Sequence, residues 1–109
     1  MNRVIIASPY SGDIEKNLAY ARKCVRHSFD LGEAPFASHL IYPQALDDTD
    51  PSERERGMQA EYEWIQACDL VAFYIDLGWS AGMIKELKIA RLFNRKIENR
   101  SLQPKLRIT

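Results

Sequence analysis

The sequence predicts an α/β fold of three layers, a Rossmann-like (flavodoxin-like) domain in which a short parallel sheet of about four strands is flanked by three helices. Two observations predict it. Short apolar runs of strand length, RVIIA at 3–7 and DLVAFYI at 69–75, alternate with longer segments whose apolar residues recur at helical spacing. The connections between these segments are short, so successive strands should run parallel with the helices as right-handed crossovers. With 109 residues and 46% hydrophobic content the chain suffices for one core, expected as a single domain over 1–102 with 103–109 as a C-terminal tail.

The first strand, Arg3 to Ala7, ends in Ser8-Pro9-Tyr10-Ser11-Gly12, turn formers except for the tyrosine. Asp13 is suited to cap the first helix, where Ile14, Leu18, Ala21, Val25 and Phe29 form the apolar stripe and Gly32 marks the stop. His27 is expected as a solvated residue of that helix. Pro35 to Ile41 reads as the second strand, leading through Tyr42-Pro43 to the acidic loop Asp47-Asp48-Thr49-Asp50. Asp50 as N-cap, Pro51 at the first helical position and Glu53 three residues after the cap open a second helix that runs to about Cys68. Asp69 to Ile75 is the third strand. A Gly-Trp-Ser-Ala-Gly turn then leads into a third helix ending near Asn94, and Arg95 to Leu102 is a fourth strand. In such sheets ligands bind beyond the carboxyl ends of the strands, which here carry residues 8–12, 39–43 and 76–82.

Composition narrows the function classes. Lysine plus arginine and aspartate plus glutamate both number 15, so no global field recruits nucleic acid or an anionic membrane, and neither is expected as a partner. No apolar run approaches the roughly 20 residues of a membrane helix and the chain opens directly on a strand, so a cytoplasmic location is expected. Cys24 and Cys68 form no CxxC pair and the histidines do not cluster; buried reduced thiols are expected, with no metal site and no cofactor.

Two carboxylates are out of place. At about 100° per residue, Met83, Leu87, Ala90 and Phe93 share one arc of the third helix, and Glu86 falls inside it. The second helix repeats the pattern, with Glu61 inside the arc of Met58, Tyr62, Ile65 and Cys68 while Glu63 faces the polar side. Burying an ionised carboxylate costs several kcal/mol unless it is paired, so each either reaches past its helix edge to an arginine or a backbone donor, or serves chemistry at the crevice. A carboxylate beside a sugar can attack the anomeric carbon through an oxocarbenium-like transition state, while a second handles the proton on the leaving group.

Gly82-Met83-Ile84-Lys85-Glu86-Leu87-Lys88-Ile89-Ala90 resembles the G-x-x-x-E-[LI]-G-Y-A helix start of nucleoside 2-deoxyribosyltransferases and their nucleotide N-glycosidase relatives. The N-terminal IIASPYSG is similar to that family's first strand and loop, and the likeness extends from Arg3 to about Ala90. It implies Glu86 as the nucleophile at C1′, Glu61 as the acidic residue that contacts the base and assists proton transfer, and Tyr10 at the edge of the sugar pocket. It also implies a homo-oligomer whose neighbouring subunit completes each site. Lys88-Ile89 stands where the family has Gly-Tyr, and Ser80 where the transferases carry an aspartate that contacts the sugar hydroxyls, which points to another substrate. In the nucleotide N-glycosidase branch, hydroxyl residues and helix N-termini hold a 5′-phosphate, and Ser80, Gly82, Ser11 and Gly12 suit that task, with Ser8 of the same loop a further substrate-binding candidate. Ser80 equally reads as a plain helix N-cap. His39 can hydrogen-bond a phosphate or base, or only its own loop. Asp76 can orient a hydroxyl, or only form its turn. Trp79, and less directly Trp64, can stack on a base. The expected function is cleavage or transfer at the N-glycosidic bond of a (deoxy)nucleoside or (deoxy)nucleotide. The alternative is a non-catalytic nucleotide-binding or sequestering module of the same fold. A purely structural protein would leave the two inward carboxylates without a reason.

Overall fold

A computed structural model describes residues 1–103, so most of the expected tail lies outside the described residues. The strands are β1 (Arg3–Ala7), β2 (Ala34–Phe36), β3 (Leu70–Tyr74) and β4 (Lys96–Arg100), and the helices are α1 (Ile14–Asp30), α2 (Pro51–Ala67) and α3 (Ala81–Leu92). They form one parallel sheet in the order β2-β1-β3-β4, with Ile5 opposite Val71 and Val71 opposite Ile97. From β1 the chain moves outward to β2, then returns to lay β3 on the other side of β1. The strand order therefore reverses between β1 and β3, and a crevice opens at their carboxyl ends.

Both central strands are buried on both faces, as their uninterrupted apolar runs require. Val4, Ile6, Ala72 and Tyr74 pack with Tyr20 and Cys24 of α1. Ile5, Ala7, Val71 and Phe73 pack on the opposite face with Ile65 of α2 and Met83 and Ala90 of α3. The three layers are thus α1, the sheet, and α2 with α3. Cys24 and Cys68 are buried and unpaired, and burial pushes the Cys24 thiol up to about 12. Among the described residues, no helix is long and apolar enough to cross a membrane.

Several elements differ from expectation, each for a local reason. The buried face of α1 is centred on Asn17, Tyr20, Ala21, Cys24 and Ser28, rotated from the anticipated stripe, so Ile14 and Phe29 are exposed. Polar side chains with internal partners turn the helix: Asn17 holds the loop after β1, Tyr20 bonds Asp76, and Ser28 donates to Glu33 at 2.7 Å. His27 is half-buried rather than solvated, its Nδ1 lying 2.8 Å from the Tyr74 hydroxyl. The second strand stops at Phe36, because Ser38–Leu40 and Tyr42–Gln44 coil into 3₁₀ turns around Pro43. Glu53 closes no capping box; its carboxylate accepts from the Asp47 amide at 3.1 Å, while Asp50 caps α2 by accepting from the Ser52 amide.

β4 is an edge strand whose Ile97 packs on the α3 side, whereas Lys96 and Glu98 point the other way and are exposed. Arg100 is the exception on that side. Its side chain, 5% exposed, makes a two-pronged contact with Glu33 at 2.7 and 2.8 Å and donates to the Tyr74 hydroxyl at 3.1 Å. The edge strand is thereby tied through a satisfied buried ion pair to the turn after α1.

Candidate active site

A cavity of ≈ 390 Å³ occupies the crevice. Its floor and walls come from Tyr10 and Ser11 after β1, from Ser38, His39 and Tyr42 after β2, from Leu46 and Asp48 in the acidic loop, from the inner side of α2, and from the start of α3. The loop after β1 is held open by Asn17, whose Nδ2 donates to the carbonyls of Tyr10 and Ser11 at 2.9 and 3.0 Å. That anchor comes from the first turns of α1, so the strand and helix together position Tyr10.

Glu61 and Glu86 meet here, from α2 and α3. They are 6% and 3% exposed, and Glu61 Oε1 and Glu86 Oε2 are buried without any hydrogen-bond partner among the described residues. Neither pairs with an arginine among the described residues. Burial foremost, then the neighbouring Glu61 carboxylate, raise Glu86 well above the usual carboxylate range. Two carboxyl groups buried in one cavity wall disfavour double ionisation, as in other carboxylate dyads.

His39 and Tyr10 stack over the cavity, with ring centroids 5.1 Å apart and planes 26° from parallel. Burial pushes His39 below its ordinary value, against the opposing pull of the Glu61 and Asp48 charges. Burial and the Asp48 charge raise Tyr10. Ser80 is the N-cap of α3: its Oγ accepts from the Met83 amide at 3.2 Å, which leaves the hydroxyl proton and the first-turn amides at the cavity wall.

The structure thus brings Glu86, Glu61, Tyr10, Ser11, His39, Ser80 and Gly82 to one cavity. It places the other candidates elsewhere. Ser8 is buried at 1% exposure behind the wall, and Gly12 lies in an exposed turn with φ +100°. Trp79 stacks on Phe73 at 4.9 Å, and Trp64 on Phe36 at 5.1 Å, both off the cavity. Asp76 accepts from the Tyr20 hydroxyl at 2.6 Å, from the Leu102 amide at 2.9 Å, and from Ser101. Burial works to raise Asp76, but these bonds outweigh it and bring the carboxyl down to about 2. It ties β3 to the segment after β4.

Sequence reasoning missed Asp48, Arg54, Tyr62 and Lys85 on the wall. Arg54 was within reach, since it falls on the Met58, Glu61 and Ile65 arc of α2. Asp48 carried no helical phase to betray it.

Residues 2–100 match the model of a family described as a domain of unknown function (DUF7768). No curated protein matches the sequence. Among solved structures the chain is similar to a 2-deoxyribosyltransferase from Bacillus psychrosaccharolyticus, with TM-score 0.74 and 18% identity over 97% of this chain and 77% of that one. It is also similar to the CMP N-glycosidase of Clostridium botulinum, with TM-score 0.59 and 14% identity over 96% and 74% of the two chains. A third is the 2-deoxyribosyltransferase of Leishmania mexicana, with TM-score 0.61 and 17% identity over 94% of this chain and 66% of that one. At these identities the likeness establishes a shared fold.

Proposed function

The chain belongs to the DUF7768 family, and from that premise we propose that it cleaves or transfers the N-glycosidic bond of a (deoxy)nucleoside or (deoxy)nucleotide, with Glu86 as nucleophile. The observation that carries this reading is the buried Glu61 and Glu86 pair at the wall of the crevice cavity. The enzymes whose fold it shares, as their names state, act on the same class of bond.

A buried carboxyl pair that keeps one proton holds an acid and a base in one place. For the attack, the proton that the free protein favours on Glu86 passes to Glu61, which leaves the Glu86 carboxylate free to attack C1′. The C1′–N bond breaks, its electron pair goes to the leaving base, and the base takes the proton from Glu61. The C1′–O bond to Glu86 is then broken by water, giving hydrolysis, or by a second base, giving transfer; its electron pair returns to the Glu86 carboxylate and the nucleophile's proton goes to Glu61. Developing positive charge at C1′ favours the ionised Glu86 in the transition state more than in the ground state, so desolvation in the free protein works toward differential stabilisation. Tyr10 and His39 supply a flat surface beside the reacting centre. Arg54 and Lys85, with the first-turn amides of α3, line the mouth and suit a 5′-phosphate, so the nucleotide is the better fit. A homo-oligomer belongs to the same proposal, its second copy closing the exposed side where Arg54 and Lys85 stand.

The test is release of free base from a panel of deoxynucleosides and deoxynucleotides, followed by chromatography. Wild type should release base, more readily from the 5′-phosphates. Glu86→Gln should lower the rate by at least about 10³-fold while still binding nucleotide, and Glu61→Gln by about 10²–10⁴-fold, the range of a positioned acid. Binding without release by wild type would instead establish the non-catalytic binding module, a reading favoured by the use of Ser80 as a plain N-cap.

A further inference from the structure

Asp48 is the one carboxylate of its loop that the protein's own hydrogen bonds leave unused among the described residues. Asp47 accepts from the amide and hydroxyl of Thr49 at 3.0 and 2.6 Å. Asp50 accepts from the amide and hydroxyl of Ser52, both at 2.9 Å. Glu53 accepts from the Asp47 amide at 3.1 Å. These bonds hold the loop so that Asp48, half-buried, stands on the cavity wall. Its charge acts on both rings of the Tyr10 and His39 stack, and Glu61 acts on His39 as well. An aromatic platform, an acceptor-only group and the carboxyl pair therefore line one cavity.

We propose that Asp48 reads an exocyclic amino group of the base, so that the substrate carries cytosine, adenine or guanine rather than uracil, thymine or hypoxanthine. This rests on the function proposed above. A carboxylate has acceptors and no donor, so it pairs with an amino group. A keto oxygen in the same place sets two acceptors face to face and leaves Asp48 partly desolvated without a donor. Side-chain pairs to base edges discriminate between bases by about 5-fold to 150-fold.

The test is calorimetric titration with two amino and keto pairs, deoxycytidine against deoxyuridine monophosphate and deoxyadenosine against deoxyinosine monophosphate. It is done in the Glu86→Gln background so that the ligands stay intact. The amino member of each pair should bind at least about 5-fold tighter. Asp48→Asn, whose amide can donate to a keto oxygen, should reverse the ratio, and Asp48→Ala should bring it to one, with circular dichroism confirming the fold of both. Equal binding within the pairs, or a ratio that survives Asp48→Asn, overturns the proposal. Base release by the protein with Glu86 intact is followed in parallel. A selective ratio with no release sinks the catalytic reading and leaves the role of Asp48 standing; release at equal rates from both members of a pair does the opposite. If none of the four nucleotides binds, both readings fall.

Discussion

Where Glu86 stands favours its neutral form, through burial foremost and then the Glu61 charge. In the unfolded chain the same group titrates near ~4.3. Between that pH and its raised folded value, the folded protein keeps a proton that the unfolded chain has lost, so stability falls as pH rises through the window. Glu86→Gln removes the ionisation and offers Glu61 a donor. The variant should exceed wild type in stability by about 1–3 kcal/mol around neutral pH, a rise of roughly 4 °C or more in Tm, and the gain should shrink as pH falls towards ~4.3. Thermal unfolding across that range checks it; a variant less stable than wild type at every pH would contradict the buried acid. Asp76 has the opposite sign. Its folded value of about 2 lies below the unfolded carboxyl, so its contribution is present above ~3.9 and lost as pH falls towards 2. Asp76→Asn should cost about 1.5–3 kcal/mol in urea titrations at neutral pH, the range for hydrogen bonds to a charged group, and little near pH 2. The glutamates were legible in the sequence because helical phase is a local property, set by neighbours three and four positions away. Asp76 was not, since its partners Tyr20, Ser101 and Leu102 lie 56, 25 and 26 residues off, beyond any local pattern.

At the scale of elements, the strands were the most legible, because a strand buried on both faces needs an unbroken apolar run and β1 and β3 have one. The phase of α1 was misread where the apolar count outvoted polar residues. Asn17, Tyr20 and Ser28 turn inward because each finds an internal partner, while Phe29 at 60% exposure does not. The polar side of β4 follows the same logic. Arg100 is buried because Glu33 and Tyr74 satisfy its guanidinium, and Glu33 is drawn below its ordinary value chiefly by Arg100. Removing one partner of such a pair leaves an uncompensated buried charge. Arg100→Ala should therefore destabilise the domain by about 3–5 kcal/mol, a large part of the roughly 5–15 kcal/mol typical of such domains. Urea unfolding measures it, and a loss under about 1 kcal/mol, the worth of a surface pair, would show that the contact is solvent-screened.

For the whole molecule, the balanced charge of 15 basic and 15 acidic residues leaves recognition to local groups, and the reversal of strand order between β1 and β3 sets where they gather. That position could be read from the order of strands and helices. Which side chains line it depended on the coiling of residues 38–44 and on the acidic loop, neither of which has a periodicity to read. The central claim is that the pair at this point does covalent chemistry on a sugar, with Glu86 making the bond. The most direct measurement is intact-protein mass spectrometry after rapid acid quench during turnover of a deoxynucleotide, with the modified peptide sequenced. The mass should rise by one deoxyribosyl phosphate on Glu86 as one equivalent of base appears, and Glu86→Gln should show neither. Base release that continues in Glu86→Gln, or an adduct on any other residue, would contradict it.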